Sequence, residues 1–452
     1  MRFTHGLPLT ALATALLLAG AAHAQVLTGW AQMPAATFSD GPTSGQFAAA
    51  NTYGINLPPF ANRQPVQGFS GVLAGPRKNV FHFLVDNGFG AQANSADALL
   101  RAYALEVNWH TRDGGAGTVA PADWQSGRER QAFDAATRLQ LNDANRKLTL
   151  PIQADYATYY NGPANTPVAP AIRAGRLLTG ADFDIESIRR DRNGNYWFGD
   201  EFGPYLIKTN ARGTVLRSEI SMPGVYAPQH KDVVAGKAVA NLPGSGGFEG
   251  MAINKSGTKL YTLLERTVTG DATGTLRIDE FDIQSERYTG RRFVYPLDAQ
   301  GTNIGDMVAV DEHRFIVLER NSATATTTGA APFKKVYLID LENVAENGVA
   351  RKTELVDLMK IADPHDLNGD GEAVFTFPYT TIEDVLILDS RTLLVVNDNN
   401  FPYGGGRALA SDNTEFLRIR LPVSLIDDED CEEDDDDLHR HGKGGDGHAH
   451  RD

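Results

Sequence analysis

The polar and apolar positions of residues 183–204 set a pattern that the rest of the chain repeats. Residues 185–190 suit a short strand, Asp191 to Asn195 supplies the Asp, Asn and Gly of a tight turn, and residues 196–199 read as the returning strand. Such a hairpin brings Glu186, at its opening, beside Asp200 and Glu201, at its close. The same grammar recurs four times. Residues 69–72 lead to the run 80–85 and then Asp86 and Asn87; residues 248–251 lead to 260–264 and then Glu265 and Arg266. Residues 304–307 lead to 315–318 and then Glu319 and Arg320; residues 382–385 lead to 393–396 and then Asn397, Asp398 and Asn399. Internal repetition on this scale marks a repeat architecture.

After the central hairpin, residues 206–210 and 214–216 read as two more strands, so that each repeat holds four. Four antiparallel strands per repeat is the blade of a β-propeller, and the expected fold class is all-β. Glu186, Glu249, Asp306 and Asp384 follow one another at 63, 57 and 78 residues, wider than the ~40–45 of compact WD40 blades, so long loops are expected. The 116 residues from Ser70 to Glu186 leave room for one irregular blade. Six blades are therefore expected, with five and seven as alternatives.

The flanks differ in composition. Residues 1–24 carry Arg2, an apolar run from Leu7 to Ala22 and the small-residue pattern Ala22, His23, Ala24, which together read as a secretory signal peptide. The mature protein is expected in the periplasm or secreted, and no other stretch is long and apolar enough to cross a bilayer. Residues 25–60, rich in Gly, Pro, Ala, Ser and Thr, form an N-terminal extension that either adds a closing strand to the last blade or is an ordered addition. The propeller domain is assigned to residues 61–426. Within it, 98–107 reads as a strand, 128–150 as an insertion with a short helix, and 156–174 as a loop.

Charge is unevenly distributed. Of the formal net charge of −15, residues 427–452 contribute twelve acids against Arg440, Lys443 and Arg451, and the remainder is only mildly acidic. A nucleic-acid surface would need a basic patch or stripe, and the sequence offers none. The acidic run of the tail is followed by His439, His441, His448 and His450; it is expected to be disordered and solubilising, with ion buffering as a second reading. Cys431, the single cysteine, lies in this tail, so packing and not disulfides must hold the core.

If the hairpins stand around one axis, their openings and closings gather Glu186, Asp200, Glu201, Glu249, Glu265, Asp306, Glu319, Glu383, Asp384 and Asp398 at the mouth of a channel. Converging carboxylates repel one another unless cations intervene. Oxygen ligands without a Cys or His cluster favour calcium over zinc, with Asn87 and Asn399 as neutral additions. Glu186, Glu249, Asp306, Glu319, Glu383, Asp384 and Asp398 are taken as metal ligands. Asp200 and Glu201 are assigned to catalysis with Arg266 and Arg320, because arginine grips phosphate bidentately and stabilises charge on its oxygens. A bland alternative makes Glu265, Arg266, Glu319 and Arg320 ion pairs between blades. No Gly-x-Ser-x-Gly elbow and no His-Glu-x-x-His motif is present. Asp366 to Gly371 matches the start of an EF-hand calcium loop, but Phe377 stands where the closing carboxylate belongs, so a calcium loop and a simple turn remain equal readings.

Several ordered motifs carry a family resemblance. Residues 41–45, 64–70, 86–90, 183–204, 247–251 and 377–385 resemble the family called esterase-like activity of phytase, over about residues 37–421. The resemblance implies an exported, propeller-shaped protein that hydrolyses phosphate or related esters. The expected function is thus that of a calcium-assisted phosphoesterase acting, as a monomer, on a small phosphate ester. A metal-dependent lactonase or carboxylesterase and a non-catalytic binding propeller are the alternatives, because fold does not fix chemistry.

Overall fold

In the computed structural model the described residues are 25–49, 57–159 and 165–426. The expected signal segment, 1–24, and the acidic tail with Cys431, 427–452, lie outside them.

Within the described residues the strands group in fours. The first blade is Phe69–Ala74, Val80–Val85, Arg101–Asn108 and Thr118–Pro121. The second is Ile185–Arg190, Tyr196–Asp200, Tyr205–Thr209 and Ile220–Ser221. Phe248–Ile253, Lys259–Leu264, Thr275–Asp282 and Arg287–Pro296 make the third. The fourth is Asn303–Ala309, Arg314–Arg320, Lys334–Asp340 and Arg351–Asp357. The fifth takes Asp384–Asp389, Thr392–Val396 and Thr414–Arg420 from the end of the domain and Val26–Met33 from its beginning.

That last strand pairs antiparallel with Thr414–Arg420, from Val26 opposite Arg420 to Met33 opposite Thr414. Of the two readings of the N-terminal extension, the closing strand is the one found. The innermost strands of the five blades touch in cyclic order, the fifth returning to the first.

Alternation along the strands explains the closure. Successive side chains of a strand point to opposite faces, so Leu393 and Val395 pack towards the fourth blade while Leu394 and Val396 pack towards the first. Each pair of neighbouring blades encloses one apolar layer in this way, with Phe198, Phe248, Met307, Val385 and Phe69 among their buried members.

Six blades are not found among the described residues; five are. Among its described residues, the long interval before Glu186 holds no further four-stranded sheet. It contains a short strand, Arg138–Gln140, added to the first blade, the 3-10 turn Ala135–Thr137 and the helix Pro170–Gly175. Its Leu139, Leu141, Ile152 and Ile172 cover the layer between the first two blades, so it thickens the wall of the ring. The expected strand at 214–216 is likewise replaced: Thr214 and Val215 make isolated bridges, and the outer strand is Ile220–Ser221. No helix among the described residues is long and apolar enough to cross a membrane.

Candidate functional site

A single offset in strand register decides which side chains reach the axis. Gly199 lies opposite Ser187 and Asp200 opposite Ile185, which leaves Glu186 as the extra residue of a β-bulge. In the third blade Glu249 is the extra residue between Phe248 and Gly250. A bulge re-aims the side chain it carries, and here it turns both glutamates towards the axis. The equivalent opening residue is Ser70 in the first blade, Gly305 in the fourth and Glu383 in the fifth. At the closing end, the same register places Asp86, Glu201, Glu265, Arg320 and Asp398 in corresponding positions.

One cavity of about 240 Å³ gathers Asp86, Asp184, Glu186, Glu201, Glu249, Glu265, Glu383 and Asp398 with Arg266 and Arg320. A larger cleft of about 620 Å³ between the first and fifth blades, lined by Arg77, Lys78, Leu388 and Arg418, collects no comparable set of acids. Asp86, Asp184 and Glu186 each present an oxygen within 4.8 Å of the others. Three carboxylate oxygens so close together are ligands of the kind a hard cation such as calcium takes. Asn87 holds Asp184 in place, its Nδ2 donating to Asp184 Oδ1 at 2.6 Å. The Asn87 oxygen is already used, accepting from the Phe89 and Gly90 N–H groups and from the Ser95 hydroxyl.

Arg320 lies among the other acids. Its Nη2 donates to Glu383 Oε1 at 2.8 Å, to Glu249 Oε1 at 3.2 Å and to Glu265 Oε1 at 3.4 Å. Asn303 donates to Glu265, and Ser70 Oγ to Glu383 Oε2 at 3.2 Å. Arg266 is different: its Nε reaches Glu265 Oε2 at 3.1 Å while 43% of its side chain stays exposed. Glu201 Oε1 is buried and has no hydrogen-bond partner.

Four expected ligands or catalytic groups sit elsewhere, each for the same reason. Asp306, Glu319, Asp384 and Asp200 are neighbours in sequence of the axial positions, and a one-residue shift reverses a side chain's direction in a strand. Asp306 pairs with Arg189 at 2.8 Å and accepts the N–H of Val385 in the next blade. Glu319 accepts from the Tyr295 hydroxyl and the Asp298 N–H and pairs with Lys352. Asp384 accepts the Gly71 N–H at 3.0 Å, and Asp200 the N–H groups of Asp184 and Gly203 at 2.9 and 2.8 Å. Asn399 is also structural, bonded to Gln67 and to the Asp412 carbonyl. Conversely, Asp86 and Asp184 join the cavity without having been assigned there; Asp86 directly follows its strand as Glu265 does, and that correspondence is the signal for it. In the loop of 363–372 the acids accept from their own turn, Asp363 from Leu367, Asp366 from Gly371 and Asp370 from Glu372. Among the described residues the only gathered trio is the one at the mouth, so the turn reading accounts for this loop.

Burial, reinforced by neighbouring carboxylates, holds Asp184, Glu186, Glu201, Glu249 and Asp398 well above the ordinary carboxylate range. Glu383 rises to about 7, burial being opposed there by Arg320. A carboxylate whose pKa is higher folded than unfolded stabilises the fold at low pH and loses that contribution as pH rises through the folded value. Buried Lys334, lowered to about 6 by desolvation, works in the other direction, as do His82, His230 and Lys352, but the raised carboxylates outnumber them. Metal-free protein should therefore melt at a lower temperature at pH 8 than at pH 5.5, and calcium should flatten that slope. Thermal melts across this range, with and without calcium, check it; a metal-free slope of the opposite sign would contradict it.

The chain is similar to known proteins in different degrees. A secreted protein of Arthroderma benhamiae, itself uncharacterised, is 28% identical over 157 residues, which cover 29% of this chain and 30% of that one. The chain thus matches less than a third of that relative's length. Among solved structures, a luciferin-regenerating enzyme superposes with a TM-score of 0.35 at 9% identity, covering 78% of this chain and 92% of that one. The PQQ-bound aldose sugar dehydrogenase of Streptomyces coelicolor gives 0.33 at 10% identity, covering 79% and 95%. The ring closure stands on the pairing of Val26–Met33 with Thr414–Arg420 and on the cyclic contacts of the innermost strands. The family model described as esterase-like activity of phytase matches residues 64–401, three quarters of the chain and every inner hairpin up to Asp398, and the chain belongs to that phytase-like family.

Proposed function

We propose that this protein is an exported, calcium-dependent phosphoesterase whose site is the acidic mouth of the ring. The observation that carries the reading is the convergence of eight carboxylates and two arginines on one cavity, three of the carboxylates within 4.8 Å of one another. Membership of the phytase-like family supports the reaction class. The pattern of residues 1–24 and the secreted relative support export.

Asp86, Asp184 and Glu186 would hold the ion, with Asn87 fixing the second of them. A calcium ion bound there supplies positive charge that polarises a phosphoryl oxygen and acidifies a water. Arg266, engaged by Glu265 through Nε, keeps its terminal nitrogens for phosphoryl oxygens. Glu201, whose Oε1 has no donor among the described residues, would accept the proton of an attacking water. Arg320 adds positive charge beside Glu249, Glu265 and Glu383, where it limits their mutual repulsion.

One feature favours a rival. Eight acids against two arginines suit a neutral ester better than a dianion, as in a metal-dependent lactonase or carboxylesterase. Turnover of para-nitrophenyl phosphate and of a simple lactone, each with calcium and after chelation, separates the two. Phosphate release that chelation abolishes and calcium restores is expected. Lactone turnover alone would give the site to the rival, and no turnover of either would leave a binding propeller.

A further inference from the structure

The fourth blade breaks the acidic ring at both of its axial positions. At the opening it has Gly305, where a Cβ would lie 2.0 Å from the Ile382 carbonyl oxygen of the next blade. No side chain of any kind fits there. At the closing position, where the other blades place Asp86, Glu201, Glu265 and Asp398, it has Arg320. Arg320 is only 6% exposed, and its Nη2 is shared by one glutamate of the fifth blade and two of the third.

A guanidinium among three carboxylates occupies the place a metal ion takes in a site of the same composition. We propose that Arg320 is the built-in occupant of a second cation position, so that the mouth takes one divalent ion, at Asp86, Asp184 and Glu186, and takes a second only when the guanidinium is removed. The inference rests on the reading that those three residues hold an ion.

Two further oxygens point to a cation position and not merely to an ion pair. Glu201 Oε1, in a side chain 4% exposed, and Asn303 Oδ1, in one 2% exposed, both line this cavity and have no hydrogen-bond partner. Buried acceptors are nearly always satisfied, yet Arg320, whose Nη2 is divided among three glutamates and whose Nε is itself without a partner among the described residues, donates to neither of them. With Glu249, Glu265 and Glu383 they offer five protein oxygens, which are not gathered as Asp86, Asp184 and Glu186 are, the guanidinium standing between three of them. Charge agrees: four glutamates with one guanidinium retain a formal deficit of three positive charges, and a divalent ion in its place lowers that deficit to two.

The test is calorimetric calcium titration of the full mature chain as wild type, Arg320→Met, Arg320→Lys and Glu186→Gln. Ions bound by the tail are common to all four and cancel in the differences. Arg320→Met should bind one ion more than wild type, whereas Arg320→Lys, which keeps a cation in place, should match wild type. Glu186→Gln should lose the tight ion that wild type has. An unchanged count in Arg320→Met, with the tight ion retained, would overturn the second position while leaving the first. Absence of any difference between wild type and Glu186→Gln would remove the first position, and the second with it. Should Arg320→Met fail to fold even in millimolar calcium, Arg320→Gln carries the same count.

Discussion

Glu186→Gln is expected to lower calcium affinity about a thousandfold and to reduce phosphoester turnover at micromolar calcium to the background. The estimate is electrostatic. Two unit charges about 4 Å apart in an environment of effective dielectric about 20 interact by about 4 kcal/mol, or nearly three decades in a binding constant. Gln preserves the shape of the side chain and its place in the bulge, so the inner hairpin should fold as before. What it removes is one of three charges around the ion, and it turns two N–H donors towards Asp86 or Asp184. The neutral residue also relieves repulsion that burial and neighbouring Asp86, Asp184 and Glu249 now impose on Glu186. Without calcium, the variant should consequently be at least as stable as wild type at pH 8. Lower affinity together with unchanged or higher metal-free stability is a signature that a merely structural carboxylate would not give. Wild-type calcium binding in Glu186→Gln would remove this residue from the site.

The repeat is visible in the sequence because it has two independent marks: apolar runs of strand length, and polar pairs at fixed ends of each hairpin. Both arise from the same physics, since a strand buried on both faces must be apolar throughout and its ends must turn. Which member of a polar pair faces the axis is another matter. Asp200 with Glu201 and Glu383 with Asp384 are adjacent carboxylates, Glu319 with Arg320 are adjacent charged residues of opposite sign, and in each pair only the register of the neighbouring strand tells which member faces the axis. Bulges at Glu186 and Glu249 set that register, and neither composition nor spacing reveals a bulge. The fourth blade misleads in addition, because Gly305 occupies the axial place and Asp306 the one beside it. Counting blades from the longest gap fails for a related reason: residues between the first and second blades add strands and turns to an existing wall, and their apolar side chains satisfy a layer already formed.

Asp306→Ala should cost about 3–5 kcal/mol of stability and leave calcium binding at the mouth intact. Asp306 is fully buried and Arg189 nearly so, and they belong to blades that are not neighbours, so their contact crosses the axis beneath the mouth. Asp306 also accepts the N–H of Val385 in the fifth blade, while Arg189 Nη2 donates to the Met307 carbonyl at 2.6 Å. One ion pair thereby ties three blades. Breaking a buried pair by removing one partner leaves the other charge without compensation, which is where the estimated cost arises. The two partners are not equivalent in this respect. Arginine cannot give up its proton in a protein, so Asp306→Ala leaves an obligate buried cation. Arg189→Met leaves a carboxyl whose pKa burial already raises and which can become neutral by taking up a proton. The Arg189 variant should therefore lose less stability than the Asp306 variant at pH 7, and its loss should shrink as pH falls. Urea denaturation at pH 5.5 and 7.5 measures both. If Asp306→Ala were instead to unfold at the wild-type midpoint while losing its tight calcium ion, Asp306 would return to the metal set and the register assigned to the fourth blade would be wrong.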